Sequence, residues 1–97
     1  VDNRLDLLFI NFGEKEAAYC LPLINSLRNA GVSSELYPKA TKMAKQMKYA
    51  NGRGVKFVAM VGENEMENGT LRIKNMDSGE QVDVRPGELV KHLKGEE

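Results

Sequence analysis

The segment LDLLFINF, Leu5 to Phe12, is apolar at almost every position and is closed by Gly13. Strict alternation marks a strand with one wet face, whereas a short unbroken apolar run suits a strand buried on both. Such a strand needs cover from two sides, as in a parallel sheet with helices above and below.

The residues that follow supply the cover. From Glu14 to Ala30 the period lengthens, with Ala17, Leu21, Ile24 and Leu27 recurring three or four apart, Cys20 beside them and Gly31 as a stop. This predicts a helix, bent near Ala18–Pro22 because an interior proline removes one backbone hydrogen bond. Val32 to Tyr37 reads as a short strand ended by Pro38. Thr41 is placed to cap a second helix running to about Ala50 and terminated by Asn51-Gly52. Val55 to Val61 is the most apolar strand in the chain and ends at Gly62. Thr70 to Asn75 alternates, and the turn Asp77-Ser78-Gly79 leads into Gln81 to Val84, a hairpin pattern. Pro86-Gly87 precedes a last short helix, Glu88 to Lys94. Strand, helix, strand, helix, strand implies right-handed parallel crossovers, and the hairpin adds an antiparallel strand. The expectation is an α/β domain on a mixed five-stranded sheet.

Composition bounds what such a domain does. Ninety-seven residues, 41% hydrophobic and 29% charged, are those of one ordinary globular domain with one modest core. A single cysteine, Cys20, excludes an internal disulfide framework and fits a reducing compartment. No stretch approaches the ~20 apolar residues of a membrane helix. The acidic start Val1-Asp2-Asn3 is not a signal peptide. The expected location is the cytoplasm, with no membrane partner.

Charge is distributed unevenly. The net charge is zero, yet residues 39–56, KATKMAKQMKYANGRGVK, hold five lysines, one arginine and no acid. At 100° per residue, Met43, Ala44, Met47 and Ala50 share about a third of the helix circumference. Lys42, Lys45 and Lys48 lie opposite, flanked by Tyr49 and Gln46, and Arg53 and Lys56 extend the row. The apolar stripe is expected to dock on the sheet and the lysines to face water. A solvated face normally mixes signs, since like charges on neighbouring turns repel. Either this is simply a wet lysine face, or it meets a polyanion, whose phosphates respond to the local field rather than to net charge.

The next polar stretch is acidic. GENEMENG, Gly62 to Gly69, reads as a polar connection between two turn glycines, bearing Glu63, Glu65 and Glu67. Its spacing matches no calcium loop and no histidine is near, so a metal reading is weak. Carboxylates beside a basic row have another use, because a glutamate accepts hydrogen bonds from the amino and ring N–H donors of unpaired bases. Nothing supports catalysis in this domain. His92, the single histidine, reads as a surface residue, Cys20 as a buried inert thiol, and no phosphate-binding glycine loop occurs.

Residues 35–81, ELYPKATKMAKQMKYANGRGVKFVAMVGENEMENGTLRIKNMDSGEQ, closely resemble the C-terminal anticodon-binding domain of bacterial-type histidyl-tRNA synthetases, which are class II enzymes. The resemblance extends over nearly the whole chain from LLFINFG at Leu7. KQMKYA (Lys45–Ala50), GENE (Gly62–Glu65) and GEQ (Gly79–Gln81) carry it most specifically, since threonyl, prolyl and glycyl enzymes share the domain type. Pro22 departs from the helix-favouring residues expected at its position.

The resemblance implies a three-layer α/β/α fold, sheet order 2-1-3-4-5, with strand 4 antiparallel to the rest. It implies that residues 1–97 are a single anticodon-binding domain cut from a longer synthetase, with the catalytic domain in the same chain. The parent would ligate histidine to tRNA with ATP and magnesium, as a cytoplasmic homodimer, while this domain holds no cofactor or metal. On that reading Lys42, Lys45, Lys48 and Arg53 meet the phosphates of the tRNA(His) anticodon stem-loop, and Glu65, Glu67, Arg72 and Lys74 read its bases. Two other readings stand beside it. One is a stand-alone regulatory module docking on a protein partner. The other is a small nucleotide-binding domain, against which the missing phosphate loop counts.

Overall fold

A computed structural model describes residues 5–95; Val1 to Asn3, and with them the reading of the acidic start, lie outside the described residues. The elements are β1 (Leu7–Phe9), α1 (Glu14–Asn29), β2 (Ser34–Leu36), α2 (Met43–Arg53), β3 (Phe57–Met60), α3 (Glu63–Asn68), β4 (Leu71–Asn75), β5 (Gln81–Val84), a 3₁₀ turn (Pro86–Glu88) and α4 (Leu89–Lys94). They form one sheet in the order β2-β1-β3-β4-β5. β1 runs parallel to β2 and β3, and β4 is antiparallel to both β3 and β5. The mixed five-stranded α/β sheet is the one expected, although β1, β2 and β3 are each shorter than the segments Leu5–Phe12, Val32–Tyr37 and Val55–Val61 read as strands.

Side-chain alternation sorts the core into two faces. Leu7, Phe9, Ala59, Leu71, Ile73 and Val84 pack with Cys20, Ile24 and Leu27 of α1 and Leu89 of α4. Leu8, Ile10 and Val58, with Leu5 and Val55, pack with Ala50 of α2 and half-buried Met47 on the other. β1 is buried on both sides, as its unbroken apolar run demands. β4 and β5 are not. Leu71, Ile73 and Val84 go inward, while Arg72, Gln81 and Asp83 stay exposed on the side where α2 lies. The three layers are therefore complete only over β1 and its neighbours, and the second face of the hairpin is open.

Four local expectations change. Leu21 is 52% exposed, and the buried stripe of α1 is Cys20, Ile24 and Leu27. Leu21 sits about 100° around from Cys20 and rides off the flank. The helix itself runs on through Pro22, as expected. Pro22 and Ala18 are both exposed, so the carbonyl that loses its donor belongs to the outer side of the helix rather than to the core. Thr41 does not cap α2: Lys42 is the N-cap residue and supplies no side-chain bond. That helix passes Asn51-Gly52 and stops at Gly54, whose φ of 70° suits a residue without a Cβ.

The fourth change concerns the face that α2 presents. Gln46 and Ala50 are buried and Met47 half-buried, whereas Met43 is 40% exposed and Ala44 is exposed. The docking stripe is rotated from the Met43–Ala44–Met47–Ala50 arc toward Gln46, because the amide finds backbone partners that a methionine cannot use.

Candidate nucleic-acid interface

The candidate site begins where the parallel strands end. Beyond β1, the Asn11 N–H donates to Gln46 Oε1 at 2.7 Å, and Gln46 Nε2 donates back to the Asn11 carbonyl at 2.9 Å and to the Thr41 carbonyl at 3.0 Å. The side chain of Asn11 completes the arrangement. Its Nδ2 donates to the Tyr37 carbonyl at 3.0 Å, and its Oδ1 accepts the Gly13 N–H at 3.0 Å. Two amides thus tie the ends of β1 and β2 to the starts of α1 and α2. Gly13, with φ 143°, makes the turn between β1 and α1 that a side chain would strain.

On α2 so fixed, Lys45 and Lys48 project from the exposed side, and Lys42 stands at its N-cap. Among the described residues none of the three makes an ion pair. Arg53 differs. Its guanidinium meets Glu35 of β2 at 3.1 Å and donates to the Tyr49 hydroxyl at 2.7 Å. Those hydrogen bonds, Glu35 foremost, raise its pKa further above its already high value. Tyr49 in turn stands edge-on to Tyr37, ring centres 5.3 Å apart. The structure joins Arg53 to this cluster at the edge strand, and its charge is answered locally.

The open half of the sheet holds a second group. Cross-strand pairing sets Arg72 opposite Met60 and Asp83, and Lys74 opposite Val58 and Gln81, so all lie on the face that α2 half covers. Arg72 Nη1 meets Asp83 Oδ1 at 3.0 Å, and its Nε donates to Gln81 Oε1 at 3.3 Å. The fork is held in one orientation while Nη2 has no partner among the described residues. Lys74 is half-buried and unpaired among those residues; Met60, opposite Arg72, and Met76 are partly buried against the core of the same face.

The acidic stretch is not the connection its two glycines suggested. Residues 63–68 form α3, with Gly62 as N-cap and Gly69 ending it in the left-handed conformation. Glu65 Oε1 accepts the Gly62 N–H at 2.9 Å, the half of a capping box that needs no N-cap side chain. Glu65 is half-buried and has committed one oxygen, whereas Glu67 is exposed. Among the described residues no three His, Cys, Asp or Glu side chains group as metal ligands, and no helix is long and apolar enough to cross a membrane. Cys20 is buried, and desolvation, then the nearby Glu16 charge, push its thiol up to about 11.

The sequence reading of single residues missed Gln46 and Asn11. One signal was present, since Gln46 borders the apolar arc of α2 on the side of Ala50. The pairing of Gln46 with the Asn11 backbone, 35 residues away, was not visible in the chain.

A sequence profile of the anticodon binding domain matches residues 6–96. The chain is 58% identical over 92 residues to the histidine–tRNA ligase of Phocaeicola vulgatus, covering 95% of this chain and 20% of that protein. It is 53% identical over 88 residues to that of Bacteroides fragilis, covering 91% and 19%. The chain therefore spans about a fifth of the length of the curated relatives it matches. Among solved structures, the apo histidyl-tRNA synthetase of S. aureus aligns with a TM-score of 0.85 at 32% identity, over 96% of this chain and 24% of that one. The histidyl-tRNA synthetase of Nostoc sp. PCC 7120 aligns with a TM-score of 0.90 at 24% identity, over 96% and 22%, a likeness of fold.

Proposed function

The chain belongs to the anticodon binding domain family, and from that premise we propose that it binds the anticodon stem-loop of tRNA(His) as the C-terminal domain of a histidine–tRNA ligase. The observation that carries this reading is a division of positive charge. Lys45 and Lys48, unpaired among the described residues, crown a helix beside an open sheet surface bearing Arg72 and Lys74. Point charges on a helix hold phosphates irrespective of sequence, because binding there releases counterions. A guanidinium held by two neighbours offers directed donors, which suits a base edge. Lys42 extends the phosphate-holding group, and Arg53 joins it only by giving up Glu35. Glu67 offers an acceptor to base amino groups, and Glu65 has one oxygen left for the same task.

In the parent enzyme the ATP and magnesium chemistry belongs to the catalytic domain of the same chain, acting in the cytoplasm as a homodimer. This domain contributes selection of the tRNA and no bond making. The experiment is a pair of binding curves at one salt concentration, on hairpins with the histidine anticodon and with a scrambled one. Tighter binding to the first is expected. Equal affinity for both would refute anticodon reading.

A further inference from the structure

Few apolar side chains hold α2 to the sheet. Ala50 is its one fully covered apolar side chain, Met47 is half-buried, and Met43 and Ala44 face outward. Local forces do not favour the helix either. Its N-cap residue gives no side-chain bond, its first turn holds no acid, and Lys42, Lys45 and Lys48 repel along one side. Gln46 is fully buried, and it uses Oε1 and both Nε2 hydrogens on the backbone of Asn11 and Thr41. Apolar contacts are non-directional and allow a helix to slide or roll. Three hydrogen bonds from one planar amide fix its rotation and its distance along the sheet.

We propose that Gln46 is a positioning residue for RNA: it sets the roll of α2 so that Lys42, Lys45 and Lys48 face one backbone together. The Thr41 bond matters most for this purpose. It anchors the residue just before Lys42, so the lead-in and the helix body move as one piece. The Asn11 pair then registers that piece against the end of the most buried strand. The inference rests on the phosphate-holding reading of α2 and adds a residue that touches no RNA.

The test is the salt dependence of binding to the histidine-anticodon hairpin, measured on the 97-residue chain and two variants. Gln46→Met keeps length and removes all three bonds. Ile24→Val, buried under α1 on the opposite face, lowers stability without touching α2. Binding is read well below each melting temperature, with folding checked by circular dichroism. Partial unfolding reduces the competent fraction at every salt concentration alike, whereas misplaced lysines leave phosphates unneutralised and flatten the slope. Each phosphate of a single strand that a lysine no longer neutralises lowers the slope by roughly 0.7. Gln46→Met is expected to lower it by the equivalent of one or two phosphates and Ile24→Val to leave it unchanged. A folded Gln46→Met chain with the parent's slope overturns the proposal, as do equal losses in both variants. A parent chain whose binding ignores salt overturns it too, one level lower, by removing the phosphate reading itself.

Discussion

Under α1 and α4 the sheet buries Leu7, Phe9, Leu71 and Ile73 against Cys20, Ile24, Leu27 and Leu89, while under α2 it meets Ala50, half of Met47 and the amide of Gln46. The first face is a conventional core, whose strength scales with the apolar area removed from water. The second is thinner and leaves β4 and β5 uncovered, with a polar group setting the alignment. On the proposed reading, in which this surface meets a polyanion, the domain gains from this asymmetry. One side supplies stability, so the other can be shaped for contact.

The largest effect should come from the conventional core. Leu71→Ala removes a fully buried side chain and should cost about 2–5 kcal/mol in urea denaturation, the range for such truncations. Met47→Ala, on a side chain already half in water, should cost less than about 2 kcal/mol. Equal costs would mean that α2 docks by apolar burial after all, and the contrast between the faces would fail.

A smaller effect concerns charge within the first face. Cys20 holds its proton to about pH 11 when folded, against about 8.5 in an unfolded chain. The unfolded state therefore gives up a proton that the native state keeps. This contribution is fully present below about pH 8.5 and is lost as pH rises toward 11. The melting temperature of the parent should fall faster over pH 8 to 10.5 than that of Cys20→Ala, in which every other group titrates alike. Parallel profiles would place the thiol in water rather than in the core.

Legibility in the sequence followed the same division. β1 and β3 announced themselves as unbroken apolar runs, and the β4–β5 hairpin by alternation around Asp77-Ser78-Gly79, because burial on one or two faces writes itself into local pattern. α2 was found, but its roll was misjudged, since burial of Gln46 is decided by backbone groups of Asn11 that a helical wheel does not contain. α3 was hidden for a related reason. It is six residues long and capped by Gly62, so the reciprocal half of the box that would have marked a helix start is absent. The basic row was legible as charge, but the neutralisation of Arg53 was not. Glu35 lies 18 residues away and is brought beside it only by the crossover from β2 to α2.

The most direct measurement separates holders from readers across the two positive groups. Lys45→Ala/Lys48→Ala and Arg72→Ala are each titrated with the histidine-anticodon hairpin and with a scrambled one, at one salt concentration, with Arg53→Ala alongside. The lysine pair should weaken both hairpins by the same factor, since phosphates carry no sequence. Arg72→Ala should cost about 1–3 kcal/mol on the matching hairpin and little on the other, the scale of one specific base contact. Arg53→Ala, already paired with Glu35, should change neither. If Arg72→Ala and the lysine pair lose affinity in the same proportion on both hairpins, the open half of the sheet reads no base, and the division between the two groups does not exist.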